Sequence, residues 1–226
     1  MKAQLFAIGL IAFVGACSPA EDTEAASPEQ PQTEEIQVAS ETASAEFSTE
    51  ALVAAPAGTY SLDKGHGYIT FTYDHQGYSK PWVRWGDWES TLTWNPDDPE
   101  ASSVSATIKA ASVDSNVDKF DDHMKSADMF DVEKYPSVGF QSTSVTRTGV
   151  DTGTIVGNLT LMGMTKPVTL DVTFNKAGTT RGGGHKVGFS ATTDLVRSEW
   201  GLGYAVPHVG DDVTIIIEAE YEKAGE

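Results

Sequence analysis

The chain is poor in cysteine, in basic residues and in long apolar segments, and each shortage excludes a class of protein. A single cysteine in 226 residues rules out a disulfide within the chain. The chain has only 15 basic residues and 33 acidic ones, and its formal net charge of −18 argues against binding to nucleic-acid phosphates or to an anionic membrane surface. The apolar run at residues 5–14 falls short of the ~20 residues that a transmembrane helix needs.

Motifs of the common enzyme classes are missing as well. The five histidines form neither an HxH nor an HExxH pair, and the chain has no GxSxG, no Walker loop and no GxGxxG that follows a strand. Residues 121–128 gather acids with His123 and Lys125, but a solvated helix face is the simpler interpretation. We therefore predict a protein that is not an enzyme, with no metal site and no covalent cofactor.

The first residues have the features of an export signal. A positive start and the short apolar run are followed by two small residues and then Cys17, an order that resembles the lipobox of bacterial lipoproteins. We predict that residues 1–16 are a signal peptide and that a lipidated Cys17 anchors the protein to the periplasmic side of a bacterial membrane. Ser18, rather than an acid, after the cysteine slightly favours the outer membrane.

A polar segment follows the cysteine. It contains nine acidic residues and no Lys or Arg up to Pro56, and it has few large apolar side chains. Such a composition buries too little surface to offset its ordering entropy. The prediction is a disordered acidic tether over residues 17–56 and one folded domain over residues 57–226, without any indication of its oligomeric state.

The domain reads as a series of strands. Apolar and polar residues alternate with period two at 88–94, 104–110, 168–174, 187–191 and 213–221, and more weakly at 66–73, 138–146 and 154–162. Turn-forming residues separate these segments. Many short strands with one dry and one wet face predict an all-β antiparallel sandwich or barrel, and closing the sheet into a barrel would remove its exposed edges.

One segment has a different period. Val117, Phe120, Met124 and Ala127 recur at helical spacing, with acids and a lysine between them. This pattern predicts one short amphipathic helix packed on or across the barrel.

Several ordered blocks of the domain resemble the YceI-like family of bacterial periplasmic proteins. The strongest is SADMFDVEKYP at residues 126–136, and the others lie at 60–63, 159–161, 165–168, 188–191, 197–198 and 209–211. The chain is richer in tryptophan than the family pattern between Tyr73 and Trp88, and Met162 stands where a histidine is common. The resemblance implies an all-β, lipocalin-like antiparallel barrel of about eight strands, whose lumen holds an isoprenoid chain such as an isoprenoid quinone or a prenyl phosphate.

A ligand of this kind leads to two sets of candidate contacts. Inward-facing apolar side chains would hold the tail, and polar groups near one end of the barrel would meet the head. We expect the head group to meet His123, Lys125 and Arg197. The predicted tail contacts are Phe71, Trp82, Trp85, Trp88, Leu92, Trp94, Ile108, Phe140, Leu170, Phe189 and Ile215. Two other interpretations stay open: a structural barrel with a filled core, and an enzyme that acts on a lipid head group.

Overall fold

The computed structural model describes residues 49–223. The predicted signal peptide, Cys17 and most of the predicted tether lie outside these residues, so those predictions stay untested. Within residues 49–223 no helix has the length and hydrophobicity that crossing a membrane requires.

The described residues form eleven strands and two α-helices, together with 3₁₀ turns at Pro99–Ala101, Ala110–Ser112 and Arg197–Trp200. The helices are α1 (Thr49–Val53) and α2 (Asp118–Lys125). The strands are β1 (Gly58–Leu62), β2 (Tyr68–His75), β3 (Trp82–Trp85), β4 (Trp88–Trp94), β5 (Ser103–Lys109), β6 (Val113–Asp114), β7 (Ser137–Arg147), β8 (Thr152–Leu161), β9 (Met164–Thr179), β10 (His185–Val196) and β11 (Val209–Lys223).

Eight of the strands close an antiparallel barrel in the order β1-β4-β5-β7-β8-β9-β10-β11. Strand β11 closes the ring because its last residues pair with β1, whereas the stretch from Val209 to Glu218 pairs with β2. Strands β3 and β6 extend the sheet beyond β2. The structure therefore decides between the sandwich and the barrel that alternation left open, and it confirms the antiparallel barrel of about eight strands that the resemblance implies.

Alternation determines which side chains enter the barrel. In β4, Trp88, Ser90, Leu92 and Trp94 are buried while the three residues between them are exposed. Residues that lie opposite each other on antiparallel strands share a face of the sheet. Leu92 pairs with Val104 on one side and with Tyr60 on the other, so these three side chains all point into the barrel. This repeated pattern builds a continuous apolar interior.

The hairpin between β8 and β9 requires a special backbone. Met162 and Gly163 both have positive φ, at 51° and 71°, as a two-residue type I′ turn demands. A Cβ on Gly163 would lie 2.7 Å from the ring of Tyr135, so a larger residue would also clash there. The turn thus fixes the register between β8 and β9, and it packs against the segment that follows α2.

The fold begins earlier than the predicted boundary at Ala57. Leu52 of α1 and Ala55 are buried in the core, and the indole N–H of Trp94 donates to the carbonyl of Ala55 at 3.3 Å. The hydroxyl of Tyr60 donates to the carbonyl of Pro56 at 2.6 Å. The prediction of a disordered tether is therefore wrong for residues 49–56, which close one end of the barrel.

Candidate functional site

A cavity of about 510 Å³ opens at one end of the barrel, and we call it the upper cavity. This volume lies within the ~300–1,000 Å³ that ligand sites in proteins usually occupy. Apolar and aromatic side chains make up most of its wall. The wall comes from β2, β3, α2, the segment after α2, the end of β8, and the chain from Leu195 through Ile215.

Three aromatic rings form one side of the upper cavity. The ring of Trp85 lies 4.9 Å from that of Phe71 and 5.6 Å from that of Phe130, and Phe71 and Phe130 meet edge to face at 6.3 Å. Trp85 is only 7% exposed, and its indole N–H has no hydrogen-bond partner among the described residues. A buried donor of this kind costs ~1–3 kcal/mol when it is unpaired.

Helix α2 borders the opening of the upper cavity, as its amphipathic pattern predicts. Phe120, His123 and Met124 contribute to the cavity wall, and Met124 is almost completely buried. The ring of His123 meets that of Tyr204 edge to face, with 4.9 Å between the centroids. The mouth is therefore narrowed by an aromatic pair that joins α2 to the loop before β11.

The β2–β3 hairpin forms another side of the mouth. Gln76 and Gly77 adopt positive φ, and the carboxylate of Asp74 accepts a hydrogen bond from the amide of Gly77 at 2.8 Å. This tight turn places His75 and Trp82 on the cavity wall. Trp82 is 59% exposed, so it lies at the rim and not inside the barrel.

Arg197 lies beside the upper cavity but serves the backbone. It is 9% exposed and follows β10. Its Nε donates to the carbonyl of Gly210 at 2.8 Å, and its two Nη atoms donate to the carbonyls of Leu202, Tyr204 and Val209. Four of its five N–H groups are thus directed at the loop that carries Leu202 and Tyr204 onto the cavity wall. These four donors are engaged by the backbone, and a direct role of Arg197 in head-group binding stays a prediction.

The charge of Arg197 still affects its surroundings. Burial lowers the pKa of its guanidinium, and the nearby carboxylate of Asp211 opposes that shift. Two hydrogen bonds from Ser198 lower the pKa of Asp211. Burial raises the pKa of Tyr73, which lines the cavity, and the charge of Arg197 partly offsets this effect. The cavity therefore has a buried positive charge at its side and a protonated phenol at neutral pH.

A layer of side chains separates this cavity from a smaller one at the other end of the barrel, which we call the lower cavity. The lower cavity has a volume of about 90 Å³ and is lined by Leu52, Leu92, Trp94, Phe174 and Phe189, among others. On β8, Leu161 lines the upper cavity and Ile155 the lower one, while Leu159 between them lines neither. Several inward-facing residues line neither cavity, and we call six of them the middle layer: Trp88, Ile108, Phe140, Leu159, Leu170 and Ile217.

The predicted tail contacts therefore fall into three places. Phe71, Trp82, Trp85 and Ile215 line the upper cavity; Leu92, Trp94 and Phe189 line the lower cavity; Trp88, Ile108, Phe140 and Leu170 belong to the middle layer. These last four side chains face inward, but they fill the lumen instead of enclosing it. As contacts with a ligand, all eleven stay predictions.

The three predicted head-group residues also separate. His123 and Arg197 line the upper cavity, whereas Lys125 does not. Lys125 lies at the end of α2, where its charge contributes to lowering the pKa of Asp114, an effect that comes mainly from hydrogen bonds with Arg84. Lys125 thus lies beyond the cavity wall itself, and its contact with a head group stays a prediction.

Sequence reasoning missed part of the cavity wall. Tyr73 lies two residues from Phe71 and shares its strand face, so period two already pointed to it. Met129 and Phe130 fall within the family-like block at 126–136, and their contact with the cavity depends on how the chain turns after α2. Leu202 and Tyr204 lie in a loop, for which alternation gives no signal.

Residue types that bind metals meet outside the cavity. Ligand atoms of Asp63, His66 and Glu220 lie within 4.8 Å of one another. The ammonium of Lys186 donates to Asp63 at 2.9 Å and to Glu220 at 2.6 Å, and it lies 2.9 Å from Glu222. Lys186 already supplies the positive charge for these carboxylates, and the cluster links the β1–β2 loop to β10 and β11.

Known proteins resemble the chain over most of this domain. The family model of the YceI-like domain matches residues 60–221. A UPF0312 protein of Pseudomonas putida strain W619 is 42% identical over 150 residues, which cover 66% of this chain and 78% of the relative. A UPF0312 protein of Azotobacter vinelandii is 38% identical over 168 residues, covering 74% and 88%.

Solved structures share the fold. Burkholderia cenocepacia BcnA superposes with a TM-score of 0.63 at 22% identity, covering 70% of this chain and 98% of that one. A Campylobacter jejuni YCEI protein gives 0.61 at 26% identity, covering 65% and 86%. A polyisoprenoid binding domain from Saccharophagus degradans gives 0.56 at 12% identity, covering 73% and 98%. With the barrel, the family model and the curated relatives in agreement, the chain belongs to the YceI-like family.

Proposed function

We propose that the protein binds an amphiphilic lipid with an isoprenoid or similar long apolar chain, whose tail lies in the upper cavity. The observation that carries this proposal is an apolar cavity of about 510 Å³ that opens at the end of a closed barrel. Burying ~400 Å² of ligand surface is worth roughly 10 kcal/mol before association entropy is subtracted. Affinity in the micromolar range or better then needs no catalytic group, and we propose no reaction.

Relatives support the chemical class of the ligand. The Saccharophagus degradans domain with the same fold is described as polyisoprenoid binding, although its 12% identity supports no residue-level transfer. An isoprenoid quinone or a prenyl phosphate would suit both the apolar wall and the polar groups at the mouth. We assign the ligand's head to the region of His123, Tyr73 and His75, and its tail to the rings of Phe71 and Trp85.

The middle layer limits how far a tail reaches. The ring of Phe140 lies over Gly157 of the neighbouring strand, where a Cβ would come within 2.3 Å of it, so this ring occupies space inside the lumen at this level. The tail of a bound lipid would stop above this layer, or a longer tail would fold back within the upper cavity. The filled-barrel alternative thus applies to the lower half of the lumen, and the binding proposal to the upper half.

The proposed location follows from the N-terminal sequence. Residues 1–16 would direct export, and a lipidated Cys17 would hold the domain near a membrane on the periplasmic side, with the outer membrane slightly favoured. The acidic segment up to residue 48 would then act as a spacer between the anchor and the barrel. Storage or transport of a membrane lipid is the role that this arrangement serves.

Two neighbouring isoleucines provide a matched test. Ile215 lines the upper cavity, whereas Ile216 faces the outside of the same strand. The full chain with Cys17→Ser is purified gently, and copurifying lipids are identified by mass spectrometry of the intact complex. Ile215→Trp, which fills the cavity, should lose the lipid, and Ile216→Trp should retain it. Recovery of no lipid by the parent chain from several membrane extracts would overturn the proposal.

A further inference from the structure

Exposed aromatic and aliphatic side chains collect around the mouth of the upper cavity. Tyr78 is 86% exposed at the β2–β3 turn, and Trp82 is 59% exposed next to it. Val117 before α2 is 56% exposed, and Tyr204 in the loop before β11 is 52% exposed. We call these four residues the rim. They come from three separate segments of the chain, so the fold, and not local sequence, brings them together.

The segments that carry the rim are free of acids. Residues 75–82, 115–117 and 200–210 include none of the 33 acidic residues of the chain, and their one formally charged group is Lys80. The acids that adjoin these segments in the sequence are Asp74, Asp114, Asp118, Glu199 and Asp211. Four of them have partners: the amide of Gly77 donates to Asp74, Arg84 pairs with Asp114, Lys166 lies 3.9 Å from Glu199, and Ser198 donates to Asp211. In a protein with a net charge of −18, the segments that carry the rim are therefore almost uncharged.

The other end of the barrel has the opposite character. Asp97, Asp98 and Glu100 lie in and next to the β4–β5 connection, and Asp151 borders the lower cavity together with Pro99. Docking on a membrane through this end would desolvate these carboxylates and, on an anionic membrane, also repel them, so this end is less suited to docking than the rim. The charge distribution thus orients the domain with its mouth toward such a surface.

We propose that the rim docks on the surface of a lipid bilayer, with its aromatic side chains in the headgroup region and the cavity mouth against the membrane. Trp and Tyr are the residues that prefer this region, because one end of each side chain is apolar and the other is polar. The purpose of docking rests on the proposed function, because a mouth in contact with the bilayer lets a lipid pass between membrane and cavity without crossing water. Docking itself depends only on the rim.

A pair of tyrosines at the two ends of β2 allows a direct test. Tyr78 lies just beyond the end of β2 at the mouth, and Tyr68 begins the same strand and is also exposed. The seven-residue separation of Tyr68 from His75 spans ~23 Å along the strand. Side chains of a surface-docked element reach only ~5–10 Å into the boundary of the bilayer. A docked domain would therefore immerse a probe at Tyr78 and leave one at Tyr68 in water.

The experiment uses the full chain with Cys17→Ser, so that Tyr78→Cys or Tyr68→Cys gives the single site for an environment-sensitive nitrobenzoxadiazole label. With phosphatidylcholine vesicles, the emission at position 78 should rise several-fold and be quenched by lipids that are spin-labelled near the headgroup. The emission at position 68 should not change. An equal response of both labels would show that another part of the chain binds the vesicles. No response at position 78 would show that the rim does not dock on lipid, and it would favour a protein partner for the rim instead. Either result overturns the proposal.

Charge variants supply a second measurement. Lys80→Glu places an acid among the rim segments without touching the cavity wall, and Lys176→Glu makes the same charge change on β9 away from the mouth. In the chain labelled at Tyr78, Lys80→Glu should weaken docking and Lys176→Glu should not; equal effects would overturn the proposal. Copurified lipid, measured in the same preparations, separates the two hypotheses. Lipid without docking refutes the docking surface, and docking without lipid refutes the proposed function alone.

Discussion

Replacing Arg197 distinguishes a structural role of this residue from a role in ligand binding. Its guanidinium donates to four backbone carbonyls, and three of these hydrogen bonds measure 2.8, 2.9 and 3.0 Å. Removing one partner of a buried charged network destabilises a protein by ~3–5 kcal/mol. For a domain of this size each kcal/mol lowers the melting temperature by about 2–4 °C, so Arg197→Met should lower it by about 6–20 °C. Arg197→Lys should lower the melting temperature by roughly half as much, because an ammonium has three donors and lacks the planar, forked geometry of a guanidinium.

Urea unfolding followed by tryptophan fluorescence measures this loss, since buried Trp200 lies three residues away. Arg84→Lys is the matched control. Arg84 is 60% exposed and pairs with Asp114, and an exposed pair of this kind is worth only ~0–1 kcal/mol. Binding of neutral and anionic lipids should decline together in the Arg197 variants, because the loop that forms the cavity wall loses its support. An Arg197→Lys variant that unfolds like the parent but loses only anionic lipids would refute this reasoning.

Two further predictions concern stability. Gly157→Ala should destabilise the barrel by ~1–3 kcal/mol in urea unfolding, because its Cβ would lie 2.3 Å from the ring of Phe140, whereas Gly178→Ala, with open space at that position, should change stability little. Equal effects of the two would contradict the packing argument. The hydrogen bond from Lys186 holds the pKa of Asp63 far below its ordinary value of 3.8. The stability that the ionised Asp63 contributes is therefore complete above pH 3.8 and is lost as the pH falls below that value. Asp63→Asn should flatten the acid limb of the stability curve, and an unchanged limb would count against the linkage.

Strand faces could be predicted from the sequence because alternation depends only on neighbouring residues. All eight alternating segments correspond to observed strands. The same rule also exposes an error. Trp82 and Trp85 are three positions apart in β3, so they lie on opposite faces of one strand and cannot both line its inner side. Trp82 reaches the cavity only from the rim.

The role of Arg197 could not be predicted in this way. The four carbonyls that it binds lie 5 to 13 residues further along the chain, and every residue type has a carbonyl. The buried end of the tether escaped prediction for a related reason. Helix α1 spans five residues, too few for a period, and Leu52 and Ala55 lie in a segment rich in acids and alanine.

The volume of the upper cavity explains why this end of the barrel is open. At ~24 cal/mol per Å³, a dry void of this size would cost roughly 12 kcal/mol, which equals the whole stability of many domains. The space must therefore hold water or a lipid tail, and an opening to the outside is a condition for its existence. The buried core extends to the wall of this cavity, where Trp200 and Leu202 are almost completely buried. The hydrogen bonds of Arg197 hold the loop that carries Leu202, and a bound tail would add its own burial to this end of the barrel.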